Sequence, residues 1–358
     1  MEPVTILAIN PGSTSTKIAI YQNTRPIFQK SLVHGLEQLK GFKKITDQFE
    51  FRKKMILDEL ASANIDILNV RLISGRGGFI KPIPSGVYAV NDQMLNDLRN
   101  NLMGEHASNL GGILAFEIAR EIPGARAFIT DPVVVDEFDD IARYSGHPDF
   151  PRISAFHALN QKAVARSYAL NVRKNYEDLS LIVAHMGGGI SVGVHHKGRV
   201  IDANQALDGD GPFSPERSGT LPVGKLIDTC FSGTTSREEM RSKVVGKGGL
   251  VAYLGTNSAQ EIELRIKEGD QKAWAVYEAM AYQVAKEIGS ASTVLKGRVD
   301  AIILTGGLAY NDLFIQNLTF RIAWIAPVRV YPGEDEMRTL AHNVLMVYQG
   351  EMELKEYT

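Results

Sequence analysis

Cysteine is almost absent from this chain of 358 residues, in which Cys230 is the only one. A single thiol cannot form an intramolecular disulfide framework, and it cannot supply the paired thiolates of a structural zinc site. The start of the chain also lacks the basic segment and long apolar core of a secretory signal, and no apolar run approaches the roughly 20 residues of a membrane-spanning helix. We therefore expect a cytoplasmic protein that does not bind membranes.

The chain also lacks an excess of charge of either sign. Its 39 Lys and Arg residues stand against 41 Asp and Glu residues, which gives a formal net charge of −2. A chain this close to neutral has no bulk positive field for nucleic acid, so any anionic ligand must be bound by a few placed cations. The length exceeds the roughly 250–300 residues at which single cores stop growing. We therefore predict two domains with a cleft between them and a junction near Pro151.

Two common nucleotide-binding motifs are missing as well. The chain contains no Walker A sequence, and no G-x-G-x-x-G follows its first apolar strand, which argues against P-loop and Rossmann folds. Instead, the apolar residues 6–9 are followed by the polar turn 10–16, and a second apolar strand follows at residues 17–21. This pattern predicts a β-hairpin with a hydroxyl-rich tip.

A second segment repeats the hairpin pattern, with His185 standing 175 positions after Asn10. Each hairpin precedes a further predicted strand, near residues 25–29 and 198–202. Two such hairpins can arise by chance in an α/β chain, but their half-chain spacing favours a duplicated domain. The second turn consists of His185, Met186, Gly187, Gly188 and Gly189.

A third apolar strand, at residues 299–304, leads into a turn that contains Gly306, Gly307, Leu308 and Asn311. Strands alternate with amphipathic stretches, the clearest of which is the predicted helix at residues 271–295. This alternation predicts an α/β fold with mixed sheets, in which the ends of strands present backbone groups to ligands.

The three polar turns suit phosphate, because glycine lets backbone N–H groups approach an anion and hydroxyl groups donate to the same oxygens. Any one of them could equally be an ordinary turn. Arg76 and Arg217 stand in loops of small residues, where they could stabilise a transferring phosphoryl group or be solvated. His106, His157 and His185 could donate to phosphate oxygens or be structural.

Carboxylates at two predicted element boundaries extend this set. Asp131 follows an apolar strand, where it could orient the site or simply form an Asp-Pro turn. Asp335 and Glu336 precede a predicted helix, where carboxylates could bind Mg²⁺ through water or cap the helix.

Taken in order, these motifs resemble the acetate and butyrate kinase family, within the superfamily that includes actin, Hsp70 and sugar kinases. Residues 10–17 are similar to the first signature of the family, and Phe156-His157 with the turn after His185 resembles its second. The chain is closer to the butyrate kinase branch. It departs from acetate kinases at Gly188, where they carry Asn, and at Gln161, where they carry a second histidine.

The resemblance implies two duplicated ribonuclease-H-like domains with an interdomain cleft. Residues 1–152 would form the carboxylate-binding lobe, with a C-terminal helix at about residues 340–358 packing back on it, and residues 153–339 the nucleotide-binding lobe. The implied reaction is the reversible transfer of the γ-phosphoryl group of ATP, with Mg²⁺, to a short-chain carboxylate, which gives ADP and an acyl phosphate. Acetate, propionate or branched-chain acids are alternative substrates, and an actin-like nucleotide switch is the alternative of another class. We also expect a homo-oligomer, a dimer or higher.

The resemblance also implies a role for each motif residue, with Arg71 as the alternative to Arg76 and Asp335 as the alternative to Glu336. The catalytic set is Arg76, Asp131, His157 and Arg217; the substrate-binding set is Arg76, His106 and Phe156; the metal set is Asn10 and Glu336; and the nucleotide set is Asn10, Ser13, Thr14, Lys17, His185, Gly187, Gly188, Gly189, Gly306, Gly307, Leu308 and Asn311.

Overall fold

A computed structural model describes residues 3–358 of the chain. The strands are β1 (Thr5–Pro11), β2 (Ser15–Gln22), β3 (Arg25–Val33), β4 (Val70–Arg76), β5 (Val87–Ala89), β6 (Arg126–Thr130), β7 (Ser180–Met186), β8 (Ile190–His196), β9 (Arg199–Ala203), β10 (Ala301–Gly306), β11 (Val328–Pro332) and β12 (Leu354–Lys355). The α-helices are α1 (Leu36–Leu39), α2 (Phe49–Ser62), α3 (Asp92–Arg99), α4 (Asn109–Ala119), α5 (Ala158–Asn171), α6 (Val223–Phe231), α7 (Arg237–Val244), α8 (Gly249–Leu254), α9 (Ala259–Lys267), α10 (Gln271–Val294), α11 (Asp312–Ile322) and α12 (Glu336–Gln349). Over these described residues, none of the helices combines the length and the apolar character needed to cross a lipid bilayer.

Two compact units divide the chain. The first unit comprises the chain up to Val135 together with Asp335–Thr358, and the second unit comprises Asp136–Glu334. The second unit is therefore inserted into the sequence of the first, and α12 belongs to the first unit. The assignment of the acid to one lobe and the nucleotide to the other stays a prediction.

The sheet of the first unit has the order β12-β5-β6-β4-β1-β2-β3. Strands β1, β2 and β3 form antiparallel hairpins, whereas β4 and β6 run parallel to β1. In register, Ile9 lies opposite Gly75, and Arg76 lies opposite Thr130. Because parallel strands have their carboxyl ends at one edge, β1, β4 and β6 end side by side.

Helices cover both faces of this sheet. Successive side chains of a strand point to opposite faces, so a strand with apolar side chains on both faces must be covered on both. Leu7 and Ile9 belong to a core that also contains residues of α2 and α4, among them Ile56 and Leu110. Helix α12 contacts β1, β4 and β6 through its buried side, which includes Leu340. This packing places the first residue of α12 close to the carboxyl ends of the parallel strands.

The sheet of the second unit has the order β11-β10-β7-β8-β9. Strands β7, β8 and β9 are antiparallel, while β10 and β11 run parallel to β7. This order and these directions repeat those of β6-β4-β1-β2-β3 in the first unit, which confirms the predicted duplication and the mixed α/β fold. The predicted strand near residues 299–304 is β10, and the predicted helix near residues 271–295 is α10.

The core of the second unit also has two layers of helices. Ile182 and Ala184 of β7 belong to a core that contains α10 and α11, with Tyr277 and Phe314 in tilted contact. Leu181 and Val183, which point the other way, share a second core with α5. The sheet edge at which β7, β10 and β11 end is thereby held rigidly from both sides.

Candidate functional site

Three predicted residues bond to one another at the carboxyl edge of the first sheet. Asn10 lies near the end of β1, Arg76 ends β4, and Glu336 begins α12. The Nδ2 atom of Asn10 donates to Oε2 of Glu336, and Nη1 of Arg76 lies 3.1 Å from Oε1 of Glu336 and 3.4 Å from Oδ1 of Asn10. Asn10 and Glu336 are buried, whereas the Arg76 side chain is 30% exposed. Arg76 is therefore the cationic member of the cluster that can reach an anion from solvent.

The same geometry separates the two pairs of alternatives. Arg71 is exposed at the start of β4, where its Nη1 atom donates to the carbonyl oxygen of Leu68 at 2.9 Å. Asp335 is the N-cap of α12 and accepts a hydrogen bond from the backbone N–H of Arg338 at 3.2 Å. These contacts favour Arg76 and Glu336 as the members of the candidate site.

Asp131 directly follows β6, next to the strand that carries Arg76. Its backbone has φ +36°, a left-handed conformation that is uncommon outside glycine. Its carboxylate accepts hydrogen bonds from Oγ of Ser85 at 2.6 Å and from the backbone N–H of Gly86 at 2.8 Å. The surrounding chain therefore holds a buried carboxylate in place at the sheet edge, while its catalytic role stays a prediction.

The hairpin tip between β1 and β2 exposes Ser13, Thr14 and Lys17, as a phosphate-binding turn requires. Behind the tip lies Arg52 of α2, which is fully buried and which sequence reasoning missed. Its Nη1 atom donates to the carbonyl oxygen of Gly12 at 2.7 Å, and its Nη2 atom donates to that of Ser13 at 3.0 Å. Burial lowers the pKa of Arg52 to about 10, so this cation keeps its charge at neutral pH. Its sequence context, Arg52-Lys53-Lys54, is typical of a solvated helix face and gives no signal of this role.

Besides Arg76, two further residues are predicted to bind the acid, and they have different surroundings. His106 is exposed in the segment before α4, where its Nδ1 atom lies 2.8 Å from Oγ of Ser108 and its ring meets the Phe79 ring edge-on at 5.2 Å. Phe156 is buried in the second unit. Their part in substrate binding stays a prediction.

In the second unit, a pair of histidines lies at the carboxyl edge of the sheet. His185, near the end of β7, is buried, and its ring centroid lies 4.5 Å from that of His157, the N-cap of α5. Glu334, which sequence reasoning missed, has its Oε2 atom 3.4 Å from Nε2 of His185 and 3.2 Å from Nδ2 of Asn160. The predicted residues His157 and His185 are thus brought together.

Arg217 joins the glycine turn that follows His185. Gly188 is exposed in this turn, and a Cβ atom at Gly189 would overlap Nη1 of Arg217, so the guanidinium group lies directly over Gly189. Arg217 also donates to the carbonyl oxygen of Ala206. Burial lowers the pKa of Arg217, although the charges of Glu216 and Asp208 oppose this. The turn therefore combines an exposed glycine backbone with a partly desolvated cation, as anion binding requires.

The turn after β10 lies at the same edge of the second sheet. Gly306 has φ +92° and exchanges backbone hydrogen bonds of 3.0 and 2.9 Å with Gly333. A Cβ atom at Gly306 would overlap the carbonyl oxygen of Met186. Gly307 is exposed, whereas Leu308 and Asn311 are buried. The turns after β7 and β10 therefore lie in close contact.

Within residues 3–358, no three or more His, Cys, Asp or Glu side chains form a group that could hold a metal ion by themselves. Mg²⁺ usually keeps several waters and binds through one or two carboxylates together with phosphate oxygens. The Glu336 carboxylate, with the amide of Asn10 beside it, suits an Mg²⁺ ion that is bound mainly by water and phosphate oxygens.

Comparison with known proteins places this chain in a family. A sequence profile of the acetokinase family matches residues 151–336. The chain is also 55% identical to butyrate kinase 2 of Clostridium acetobutylicum, over 98% of this chain and 99% of that protein. The chain belongs to the acetokinase family.

Solved structures of acetokinase-like proteins share the fold. The structure of Porphyromonas gingivalis acetate kinase superposes with a TM-score of 0.79 at 18% identity, over 96% of this chain and 100% of that one. A propionate kinase from Francisella tularensis superposes with a TM-score of 0.75 at 18% identity, over 95% and 98%. These likenesses confirm the predicted duplicated ribonuclease-H-like fold.

One of the two positions predicted to differ from acetate kinases has defined contacts in this member of the acetokinase family. Gln161, on the first turn of α5, is fully buried and donates from Nε2 to Oγ of Ser191 at 2.8 Å. The same Ser191 hydroxyl lies 2.8 Å from Nδ1 of His157. Gln161 is therefore connected to a predicted catalytic residue through one hydroxyl group.

Proposed function

We propose that this chain is a carboxylate kinase of the butyrate kinase type, which transfers the γ-phosphoryl group of ATP reversibly to a short-chain fatty acid. The observation that carries the proposal is the 55% identity to butyrate kinase 2 of Clostridium acetobutylicum over nearly the full length of both chains. The contacts among Asn10, Arg76 and Glu336 support it, because they bring a cation and a carboxylate suited to binding Mg²⁺ to one sheet edge.

The reaction requires little covalent chemistry from the protein. A carboxylate oxygen of the acid attacks the γ-phosphorus, the bond to the β–γ bridging oxygen breaks, and ADP leaves with that electron pair. The acid is already ionised at neutral pH, so it needs no general base. Catalysis then consists of positioning two anions and stabilising the charge of the transferring group.

The residues of each unit suit one part of this task. Arg76 binds the substrate carboxylate or the transferring phosphoryl group, and Asp131 orients the charged groups at the same sheet edge. Asn10 and Glu336 would hold Mg²⁺ directly or through water, and a bound ion would supply positive charge to the phosphate groups. In the second unit, Arg217, His157 and His185 donate to phosphate oxygens.

Further residues bind the remainder of the two substrates. In the second unit, the glycine turn from Gly187 to Gly189 binds phosphate. In the first unit, Ser13, Thr14 and Lys17 at the hairpin tip belong to the nucleotide-binding set. Gly306, Gly307, Leu308 and Asn311 contact adenosine. Phe156 of the second unit lines the acyl pocket, and His106 of the first unit belongs to the substrate-binding set. The predicted cytoplasmic location and homo-oligomeric state stay predictions.

The chain length of the acid has to be measured, because one methylene in an apolar pocket is worth only about 1–3 kcal/mol. A hydroxylamine trap for acyl phosphate, used with acetate, propionate, butyrate, isobutyrate and valerate, ranks the acids. We expect acid-dependent ADP release with the highest kcat/KM for a four-carbon acid. A higher kcat/KM for another acid would assign the protein as a kinase for that acid. Slow ATP hydrolysis that is indifferent to every acid would instead favour a nucleotide switch.

Arg76→Ala tests the role of the first cluster. We expect kcat to fall by about 10²-fold or more, as for other groups that stabilise transition-state charge. Arg71→Ala is the matched control, because this exposed arginine lies on the same strand and donates to the backbone oxygens of Leu68 and Val70. Near-normal turnover of Arg76→Ala, or an equal loss in both variants, contradicts the assignment.

A further inference from the structure

A row of buried polar side chains runs through the second unit from Tyr176 to His157. The Tyr176 hydroxyl lies 2.7 Å from Nδ1 of His195, and Nε2 of His195 lies 3.0 Å from Oε1 of Gln161. Gln161 contacts Ser191, and Ser191 contacts His157 at 2.8 Å. Gln161, Ser191 and His195 are fully buried, so water does not compete for these bonds.

Two regular elements create this row. His157 and Gln161 are four residues apart at the start of α5, so they lie on one face of the helix. Ser191, Gly193 and His195 alternate along β8, so they lie on one face of the strand. A Cβ atom at Gly193 would overlap Oε1 of Gln161, which means that only glycine leaves room for the glutamine side chain here.

The backbone carbonyl of Ser191 fixes the direction of every hydrogen bond in the row. A carbonyl oxygen can only accept, and it lies 3.1 Å from Nε2 of Gln161, which identifies that atom as the amide nitrogen. Oε1 of Gln161 therefore faces His195, whose Nε2 atom must carry a proton. Burial, reinforced by the charges of Lys162 and Arg166, holds the pKa of His195 well below its ordinary value. The ring is thus neutral, and its Nδ1 atom accepts from Tyr176.

The hydroxyl of Ser191 determines in turn which nitrogen of His157 carries the proton. Its oxygen accepts from Nε2 of Gln161 at 2.8 Å and from the backbone N–H of His157 at 3.4 Å. Both acceptor positions of a hydroxyl oxygen are then occupied. The hydroxyl proton has Nδ1 of His157 as its acceptor, so the ring proton of His157 resides on Nε2.

We propose that Gln161, Ser191 and His195 are positioning residues that hold His157 as the neutral tautomer protonated on Nε2. This inference rests on the proposed function, in which His157 donates to a phosphoryl oxygen. An Nε2–H tautomer is always a donor there, whereas the other tautomer would present a lone pair to an anion. The row therefore fixes the Nε2–H group of His157 as a hydrogen-bond donor before substrate binds, and the ring does not need to be cationic.

Nitrogen-15 NMR of the full-length protein tests the tautomer directly near neutral pH. Histidine-labelled protein is compared with His157→Asn to assign the His157 signals among the eight histidines. We expect the nitrogen shifts of an Nε2–H ring. An Nδ1–H ring or a doubly protonated ring in the unliganded protein would overturn the proposal.

Gln161→Glu reverses the direction of the row without changing its size. The charges of Lys162 and Arg166, which act on the neighbouring His195, favour the ionised form of the new side chain. An ionised carboxylate cannot donate, so the Ser191 hydroxyl turns toward it, and Nδ1 of His157 must then donate to Ser191. We expect the Nδ1–H tautomer and a fall in kcat of about 10-fold or more, with little change in the KM for the acid. Gln283→Glu is the matched control, because Gln283 accepts through Oε1 from the backbone N–H of Phe213 and stands outside the row.

Ser191→Ala decides the question if Gln161→Glu does not fold. Removal of the hydroxyl leaves Nδ1 without its donor, so we expect a mixture of both tautomers. An unchanged Nε2–H signal in either folded variant overturns the proposal. Because the tautomer is read without turnover, failure of acyl phosphate formation would reject the proposed function and leave this inference standing, and the reverse outcome is equally distinguishable.

Discussion

His34 lies behind the β1–β2 hairpin, where its Nε2 atom is 2.8 Å from Oγ1 of Thr16. The residue is only 2% exposed, and its buried Nδ1 atom has no hydrogen-bond partner in the described part of the chain. Burial, together with the nearby charge of Arg52, lowers the pKa of His34 to about 4. A proton on this ring would be buried without an acceptor, so the folded protein keeps the ring neutral.

This lowered pKa predicts a loss of stability in mild acid. Between pH 6.5 and pH 4 the unfolded chain binds a proton at His34 and the folded chain does not, so stability falls as the pH falls through this window. Between pH 7 and pH 5 we expect a loss of about 1–2 kcal/mol from this residue. Urea unfolding of the wild type and of His34→Gln at both pH values measures it. An equal pH dependence in the two proteins would show that His34 does not titrate as described.

At the scale of elements, Arg52 connects helix α2 to the hairpin tip. Its guanidinium group bonds to backbone carbonyl groups on both sides of the turn, including Gly12 and Ser15, and to the side chain of Gln48. The turn therefore has a defined shape before any phosphate binds. A glycine-rich turn without such support would lose more conformational entropy on binding.

Arg52→Met removes this support while keeping an unbranched side chain. We expect a loss of about 1–3 kcal/mol of folding stability, because the carbonyl groups of the turn and the side chain of Gln48 lose their shared buried donor. Lys54→Met on the same helix is the control, since Lys54 forms an exposed pair with Asp58 that is worth less than about 1 kcal/mol. Chemical denaturation of both variants provides the comparison. Similar losses in the two proteins would mean that Arg52 does not shape the turn.

The two consecutive glycines at the end of β10 differ in whether a side chain could be accommodated. Gly306 has φ +92° and ψ −178°, a region open essentially to glycine alone, and a side chain there would strike the backbone of Met186. Gly307 has no atom within 4 Å of the position that a Cβ would take.

We expect Gly306→Ala to lower the melting temperature strongly, by the equivalent of about 3 kcal/mol or more from strain and overlap. Gly307→Ala should change stability by less than about 1 kcal/mol. Thermal unfolding of the two variants in the absence of nucleotide checks the contrast. A mild effect at Gly306 would show that the close approach of β10 to β7 is easily relaxed.

At the scale of the whole molecule, the sequence predicts the fold more completely than it predicts the residues of the candidate site. The repeated hairpins at Asn10 and His185 predicted the duplicated α/β fold, because apolar strands and glycine turns carry a local signal. Asp335 and Glu336 could not be told apart, since the phase of α12 decides which carboxylate faces β1. Arg52 and Glu334 were missed for a similar reason: a charged residue has no local signature of burial when its partners are distant in sequence.

Nucleotide binding should stabilise the folded chain as a whole. Saturating ATP with Mg²⁺, at about 100 times its dissociation constant, is expected to add roughly 2.7 kcal/mol and to raise the melting temperature. Chelation of Mg²⁺ by EDTA should remove most of this gain, and Glu336→Gln should show a smaller difference with and without the metal. Scanning fluorimetry measures all of these conditions. Absence of any shift with MgATP would contradict nucleotide binding.

Asn10 and Glu336 are hydrogen-bonded although 326 positions separate them along the chain. On the ribosome, every residue of the inserted second unit is translated before Glu336 is made. The nascent chain can therefore close the second sheet early, while the cluster around Arg76 stays incomplete until α12 has left the exit tunnel. Premature termination ahead of Asp335 would release polypeptides that contain most of the predicted nucleotide-binding residues but lack the carboxylate predicted to hold the metal.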